Sequence, residues 1–149
     1  MIDALYQEAI LELALEAGQA RRLVAPDATA IAENPLCGDR ITVDLKIADG
    51  LVAAVGYDMR GCMLCAAAAA LLAREAPDRR PADLPEIGAA FARMLREGQP
   101  VPAGWPGLAA FTPVKAVPGR HECVLLPFTA VAVALADAEQ HGSQQPQDG

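Results

Sequence analysis

At 149 residues the chain is long enough for one domain with its own core. A net charge of −7 excludes the basic patches on which nonspecific nucleic-acid binding relies, and it disfavours an anionic membrane surface. Hydrophobic residues reach 53% while aromatics stay at 4%. The core is therefore expected to be helix-rich, with alanine at many contacts.

Asp3, Glu8 and Glu12 interrupt the apolar residues at the N-terminus, and no basic segment precedes them, so no secretory signal is expected. The uncharged stretch Met63 to Ala73 is far short of the ~18 residues of a membrane span. A soluble, cytoplasmic protein without membrane or nucleic-acid partners is expected. In that compartment four cysteines read as metal ligands or reactive thiols rather than disulfides.

Ile2, Leu5, Tyr6, Ala9, Ile10, Leu13 and Ala17 fall at helical spacing and predict an amphipathic helix over 2–17. Leu11 and Leu15 lie on its other flank. Pro26-Asp27 marks a turn, and Ala28 to Ala32 reads as a short edge strand. Ile41 to Ile47 alternates apolar and polar residues, the period of a half-buried strand. Asp49-Gly50 supplies hairpin-turn chemistry, and Leu51 to Tyr57 returns as the second strand.

An alanine-rich helix is expected over 63–76, stopping before Pro77. Asp83-Leu84-Pro85-Glu86 resembles a capping box, and Leu84, Ile87, Phe91, Met94 and Leu95 mark one face of a helix ending near Gly98. Five prolines make 99–119 read as loop, with Trp105 pinning it to the core. A last helix is expected from about Val124 to Ala138, with Pro127 near its start. The fold class is thus α+β: a small antiparallel sheet, made of a hairpin plus a short edge strand, with helices packed on one face. One domain over 1–139 precedes a flexible polar tail at 140–149.

The chemistry concentrates in three short stretches. Asn34-Pro35-Leu36-Cys37-Gly38-Asp39 is a polar turn offering a thiol and a carboxylate, and Gly38 lets the backbone fold back so that both aim at one point. Cys62 follows Gly61 at the mouth of a predicted helix, where free amides and the helix dipole favour a thiolate. Cys123 stands at the edge of the last helix with Arg120 three residues upstream, placed to stabilise a thiolate or persulfide. Brought together, Cys37, Asp39, Cys62 and Cys123 make a tetrahedral donor set for zinc or a small iron–sulfur unit. Cys65 has CxxC spacing with Cys62, which suits a redox pair, but is expected to pack as a buried hydrophobe on the alanine face. His121 is expected to be a supporting or surface residue and His141 a solvated one.

Asn34-Pro35-x-Cys37-Gly38-Asp39, Gly61-Cys62 opening a small-residue helix, and Arg120-x-x-Cys123 resemble the NifU N-terminal/IscU family of iron–sulfur cluster assembly proteins. The insertion between Cys62 and Cys123, Glu122 where IscU-type members place a histidine, and Arg120 point to the SufU branch. The resemblance implies Zn2+ held by Cys37, Asp39, Cys62 and Cys123, or alternatively a transient 2Fe–2S cluster or iron. It implies a pyridoxal-phosphate cysteine desulfurase of the SufS type as sulfur donor, with Cys37 leaving the zinc to accept a persulfide sulfur, and downstream iron–sulfur assembly or acceptor proteins. A role as sulfur acceptor and scaffold, rather than as an independent enzyme, follows. The His-Tyr-x-Asn-Pro-like stretch usual after the first helix is missing here, and Pro127-Phe128 stands where a more polar, tryptophan-bearing start is usual. Two other functions fit parts of the pattern: a thiol–disulfide oxidoreductase using Cys62 and Cys65, and a noncatalytic zinc-stabilised binding module.

Overall fold

The computed structural model describes residues 7–144, with side chains through Glu139. Helix α1 spans Glu8–Ala17 and buries Ile10 and Leu13; the start of the expected helix, 1–6, lies outside the described residues. Strand β1 (Ala28–Asn34), strand β2 (Asp39–Ala48) and strand β3 (Leu51–Arg60) form one antiparallel sheet in the order β1-β2-β3. Asp49 and Gly50 both have positive φ, 55° and 80°, as a tight turn between twisted strands requires. All three strands outrun their expected ends, because β1 and β2 are themselves a hairpin whose pairing runs to Asn34 opposite Asp39.

Helices cover one face of this sheet. Helix α2 (Met63–Glu75) packs on β3 and on α1, while helix α4 (His121–Gln144) lies across β1 and β2. Helix α3 (Asp83–Glu97) leans on α4. The core-facing residues Ala30, Ile41, Val43, Leu45 and Tyr57 alternate with solvent-facing ones, as a one-sided sheet demands. Small side chains do much of the helix packing: Ala67, Ala68, Ala69 and Ala70 are all buried in α2.

Four features differ from what the sequence predicts. No capping box closes α3: its N-cap is Ala82 without a side-chain bond, and Asp83 instead accepts from Arg80 Nη2 at 3.1 Å. Most of the stretch 99–119, expected as loop, lies in two 3-10 segments, Pro106–Ala116 and Pro118–Arg120. Prolines at their first turns cost nothing there because those amides lack helical acceptors. Helix α4 starts at His121, not near Val124, so Pro127 sits a full turn inside it and Cys123 within its first turn. The same helix continues through Gln144, where a polar tail from Gln140 was expected; 145–149 lie outside the described residues. The segment Pro118–Glu139 is long and apolar enough to cross a bilayer by composition, yet Val124, Leu125, Leu126, Phe128, Val131 and Ala134 are buried in the core.

Asp44 departs from the alternation. Its position predicts an outward polar residue, but it is fully buried. Its carboxylate accepts from Arg22 Nε (2.6 Å) and Nη2 (3.0 Å), Leu23 N–H (3.0 Å) and Thr29 Oγ1 (2.7 Å). This network ties the segment after α1 across the sheet. Trp105 is fully buried, edge-on to Phe128 with ring centroids 6.1 Å apart and capped by the Arg79 guanidinium at 4.8 Å, so it does anchor its loop.

Candidate metal centre

The β1–β2 turn builds the first wall of the site. Asn34 Oδ1 accepts from Leu36 N–H (3.3 Å), and Asn34 O accepts from Cys37 N–H (3.1 Å) and Gly38 N–H (2.9 Å). Gly38 takes φ +74°, a left-handed conformation that glycine adopts without strain. The turn leaves Cys37 exposed and starts β2 with Asp39 pointing into the helical layer, 2% exposed.

The second wall is the N-terminus of α2. Cys62 is its N-cap, and its Sγ accepts from Cys65 N–H at 3.4 Å, a role usually taken by Ser, Thr or Asp. Asp39 Oδ1 accepts from Cys62 N–H at 2.9 Å, and Cys62 Sγ lies 3.9 Å from Asp39 Oδ2. Gly61 explains how the two meet: a Cβ there would stand 2.5 Å from Asp39 Oδ1. Any side chain at this position displaces the carboxylate. The sequence carries this signal as Gly61-Cys62, but its partner Asp39 is 22 residues away and only the fold reveals it.

The third wall is the first turn of α4. Cys123 is fully buried, and its Sγ donates to Cys37 Sγ at 3.4 Å. Burial raises the Cys123 thiol above its ordinary range, and the bonds to Cys37 and Asp39 add to this. Beside it, Glu122 pairs with Arg96 of α3 on the surface. Arg120 ends the second 3-10 segment, half-buried, its N–H bonded to Val117 O at 2.9 Å.

Cys37, Asp39 and Cys123 therefore offer two sulfurs and an oxygen within 4.8 Å of one another. Ligands bound tetrahedrally at Zn–S ≈ 2.3 Å sit about 3.8 Å apart, so this triad fits a single soft ion. Cys62 falls outside the triad and reaches it through Asp39, its sulfur being turned toward the α2 amides. His121 is not a ligand: it is buried with Nε2 held by Val114 O (3.0 Å) and Lys115 O (3.3 Å), which locks the 3-10 segment to α4. Cys65 is fully buried, as expected, and burial raises its thiol strongly, with Asp39 and Cys62 adding to the effect. A thiol so disfavoured as thiolate is a poor redox nucleophile.

Comparison with known proteins gives a consistent answer. Residues 5–82 match the family described as NifU-like N terminal domain, a span that includes Cys37, Asp39 and Cys62. The chain is similar to an iron-sulfur cluster assembly scaffold protein IscU of Thermotoga maritima, at 29% identity over 133 residues, covering 88% of this chain and 92% of the relative. It superposes with a TM-score of 0.84 on the crystal structure of a nitrogen-fixing NifU-like protein, N-terminal, from Brucella abortus, at 34% identity, covering 93% of this chain and 97% of that one. A SUF-system assembly scaffold from Fervidobacterium islandicum shares the fold with a TM-score of 0.82 at 19% identity, covering 89% and 98%. On the matched residues, the fold and the turn–helix–helix arrangement of its thiols, the chain belongs to the NifU-like N-terminal domain family.

Proposed function

We propose that this chain is an iron–sulfur cluster assembly scaffold of the SufU type, with Cys37 as the acceptor of persulfide sulfur. One observation carries the reading: an exposed thiol, Cys37, stands 3.4 Å from the fully buried thiol of Cys123 and within ligand reach of Asp39. A purely structural metal site would bury all its ligands; this one keeps one sulfur at the surface. The family and the names of the similar proteins support the assembly role.

Cys37, Asp39 and Cys123 would hold Zn2+, with Cys62 as the fourth donor after a side-chain rotation away from the α2 amides. Bound Zn2+ supplies charge that keeps the thiols deprotonated at neutral pH. Iron and sulfide are cargo assembled on the same thiolates. In sulfur transfer the Cys37 thiolate attacks the outer sulfur of a donor persulfide. A new S–S bond forms on Cys37, the donor thiolate leaves, and one persulfide replaces another without net oxidation. Arg120, three residues before Cys123, is the cation proposed to stabilise the persulfide anion. A pyridoxal-phosphate cysteine desulfurase of the SufS type is the proposed donor, and downstream assembly or acceptor proteins receive the product. The cytoplasm is the proposed location.

The test is anaerobic purification followed by mixing with a cysteine desulfurase and cysteine. Faster desulfurase turnover and a mass increase of one sulfur on Cys37, both lost in Cys37→Ala, are expected. Colourless protein with one zinc assigns the sulfur-relay form of this role; a coloured cluster lost with Cys37→Ala assigns direct cluster building. Unchanged turnover and an unmodified Cys37 overturn the reading in favour of a zinc-stabilised binding module.

A further inference from the structure

We propose that Cys123 is the resolving thiol of the sulfur transfer: it attacks the persulfide on Cys37, expels the delivered sulfur as sulfide and closes a Cys37–Cys123 disulfide. This rests on the reading of Cys37 as sulfur acceptor. Cys123 Sγ lies 3.4 Å from Cys37 Sγ. Reacting atoms in a productive intramolecular pair stand about 3–3.5 Å apart, so the two sulfurs are already at the distance from which a bond forms. A disulfide holds them at about 2.05 Å, and a shift of roughly 1.3 Å closes the gap.

Exposure and burial assign the two roles. Cys37 is exposed and meets the donor, whereas Cys123 is fully buried and does not. Cys123 occupies the inner side of Cys37 Sγ, so a donor adds its sulfur from the solvent side. The delivered sulfur then stands away from Cys123, where the leaving group of a displacement at Cys37 Sγ belongs. Cys62 is placed differently. Its Sγ accepts from Cys65 N–H at 3.4 Å, and it lies outside the group formed by Cys37, Asp39 and Cys123. Cys123 is therefore the thiol that the fold holds against the persulfide.

The step balances without an outside reductant. A bond forms between Cys123 Sγ and Cys37 Sγ, and the bond from Cys37 Sγ to the outer sulfur breaks. The outer sulfur leaves with the electron pair of that bond and with the Cys123 proton, as hydrogen sulfide. It is reduced from persulfide to sulfide, while the two cysteines are oxidised to a disulfide. A dithiol returns that disulfide to two thiols by exchange. Burial raises the Cys123 thiol and keeps its thiolate fraction small. Effective molarities of about 10⁵ M or more for well-oriented groups offset that weakness. An external thiol at millimolar concentration has no such advantage. The exposed side of Cys37 gives the sulfide its way out.

The experiment mixes the full chain anaerobically with a cysteine desulfurase that has been charged with cysteine and freed of the excess. No thiol reductant is present. The chain is used as purified and again after a chelator has withdrawn any metal, since a metal ion on Cys123 occupies the attacking sulfur. Released sulfide is measured, and the peptides are mapped by mass after alkylation. The chelator-treated wild type is expected to release up to one sulfide per chain and to yield a Cys37–Cys123 disulfide. Cys123→Ser and Cys123→Ala are expected to retain the added sulfur on Cys37 and to release sulfide roughly tenfold more slowly or less. Cys65→Ala is expected to behave as wild type. Release from the Cys123 variants at the wild-type rate, or a disulfide joining Cys37 to Cys62, overturns the proposal while leaving Cys37 as acceptor. A wild-type chain that keeps its persulfide in both forms overturns it equally, and that result needs no variant to fold. Absence of added sulfur on Cys37 in the Cys123 variants, with no sulfide released by wild type, overturns the acceptor reading and this proposal with it.

Discussion

Gly61 leaves no room for a side chain beside Asp39. With the space for its Cβ already taken by Asp39 Oδ1 at 2.5 Å, Gly61→Ala must push the carboxylate off its bond to Cys62 N–H. Zinc affinity, measured by competition with a chromophoric chelator, is expected to fall about 10–100-fold, the range typical of disturbed outer contacts, while the fold survives. Asp44 tests the other end of the sheet. Burial by itself would raise its carboxyl, but hydrogen bonds from Arg22, Thr29 and Leu23 N–H outweigh that and hold it below the ordinary carboxylate range. A group whose folded pKa is depressed stabilises the fold above its unfolded value, near 4, and that contribution is lost as pH falls through the folded value. Asp44→Ala is expected to cost about 2–4 kcal/mol at pH 7, because buried donors lose their acceptor. Urea melts of the variant are expected to show less loss of stability than wild type on acidification from pH 5 to pH 3.

Among the elements, α2 and α4 do the positioning, α2 with Cys62 at its N-cap and α4 with Cys123 in its first turn. The loop carrying Trp105 holds α4 from outside: Trp105 and Phe91 both pack edge-on to Phe128, at 6.1 and 5.4 Å. Trp105→Ala removes the largest fully buried side chain and is expected to cost about 3–5 kcal/mol by thermal or urea unfolding. The alternation of Ile41 to Ile47, the Asp49-Gly50 turn and the alanine helix were legible in the sequence because each is set by neighbours within a few residues. The start of α4 was not. Pro127 argues locally for a helix beginning close before it, whereas the chain begins the helix at His121, whose ring is fixed by Val114 O and Lys115 O. The 3-10 segments were hidden for a related reason: their prolines read as breakers, and packing of Leu108, Phe111 and Val114 into the core overrides that preference.

For the whole molecule, the candidate site sits where the sheet end, α2 and α4 converge, so a metal held there would couple distant parts of the chain. Removing metal with a chelator is expected to lower the melting temperature, and adding back one equivalent of zinc to restore it. The sequence alone marked Cys37, Asp39, Cys62 and Cys123 as candidates, by residue type and by the glycines and turns beside them, which are local features; the fold draws Cys37, Asp39 and Cys123 together. The sequence also marked the β2–β3 hairpin, through the alternation of Ile41 to Ile47 and the Asp49-Gly50 turn. Only the tertiary structure decided that Asp39 lies against Gly61, that Cys37 is exposed while Cys123 is buried, and that Arg40 faces Arg60 across the open sheet. Those relations join residues 20 to 86 positions apart, and no local preference encodes a distance that chain folding alone sets.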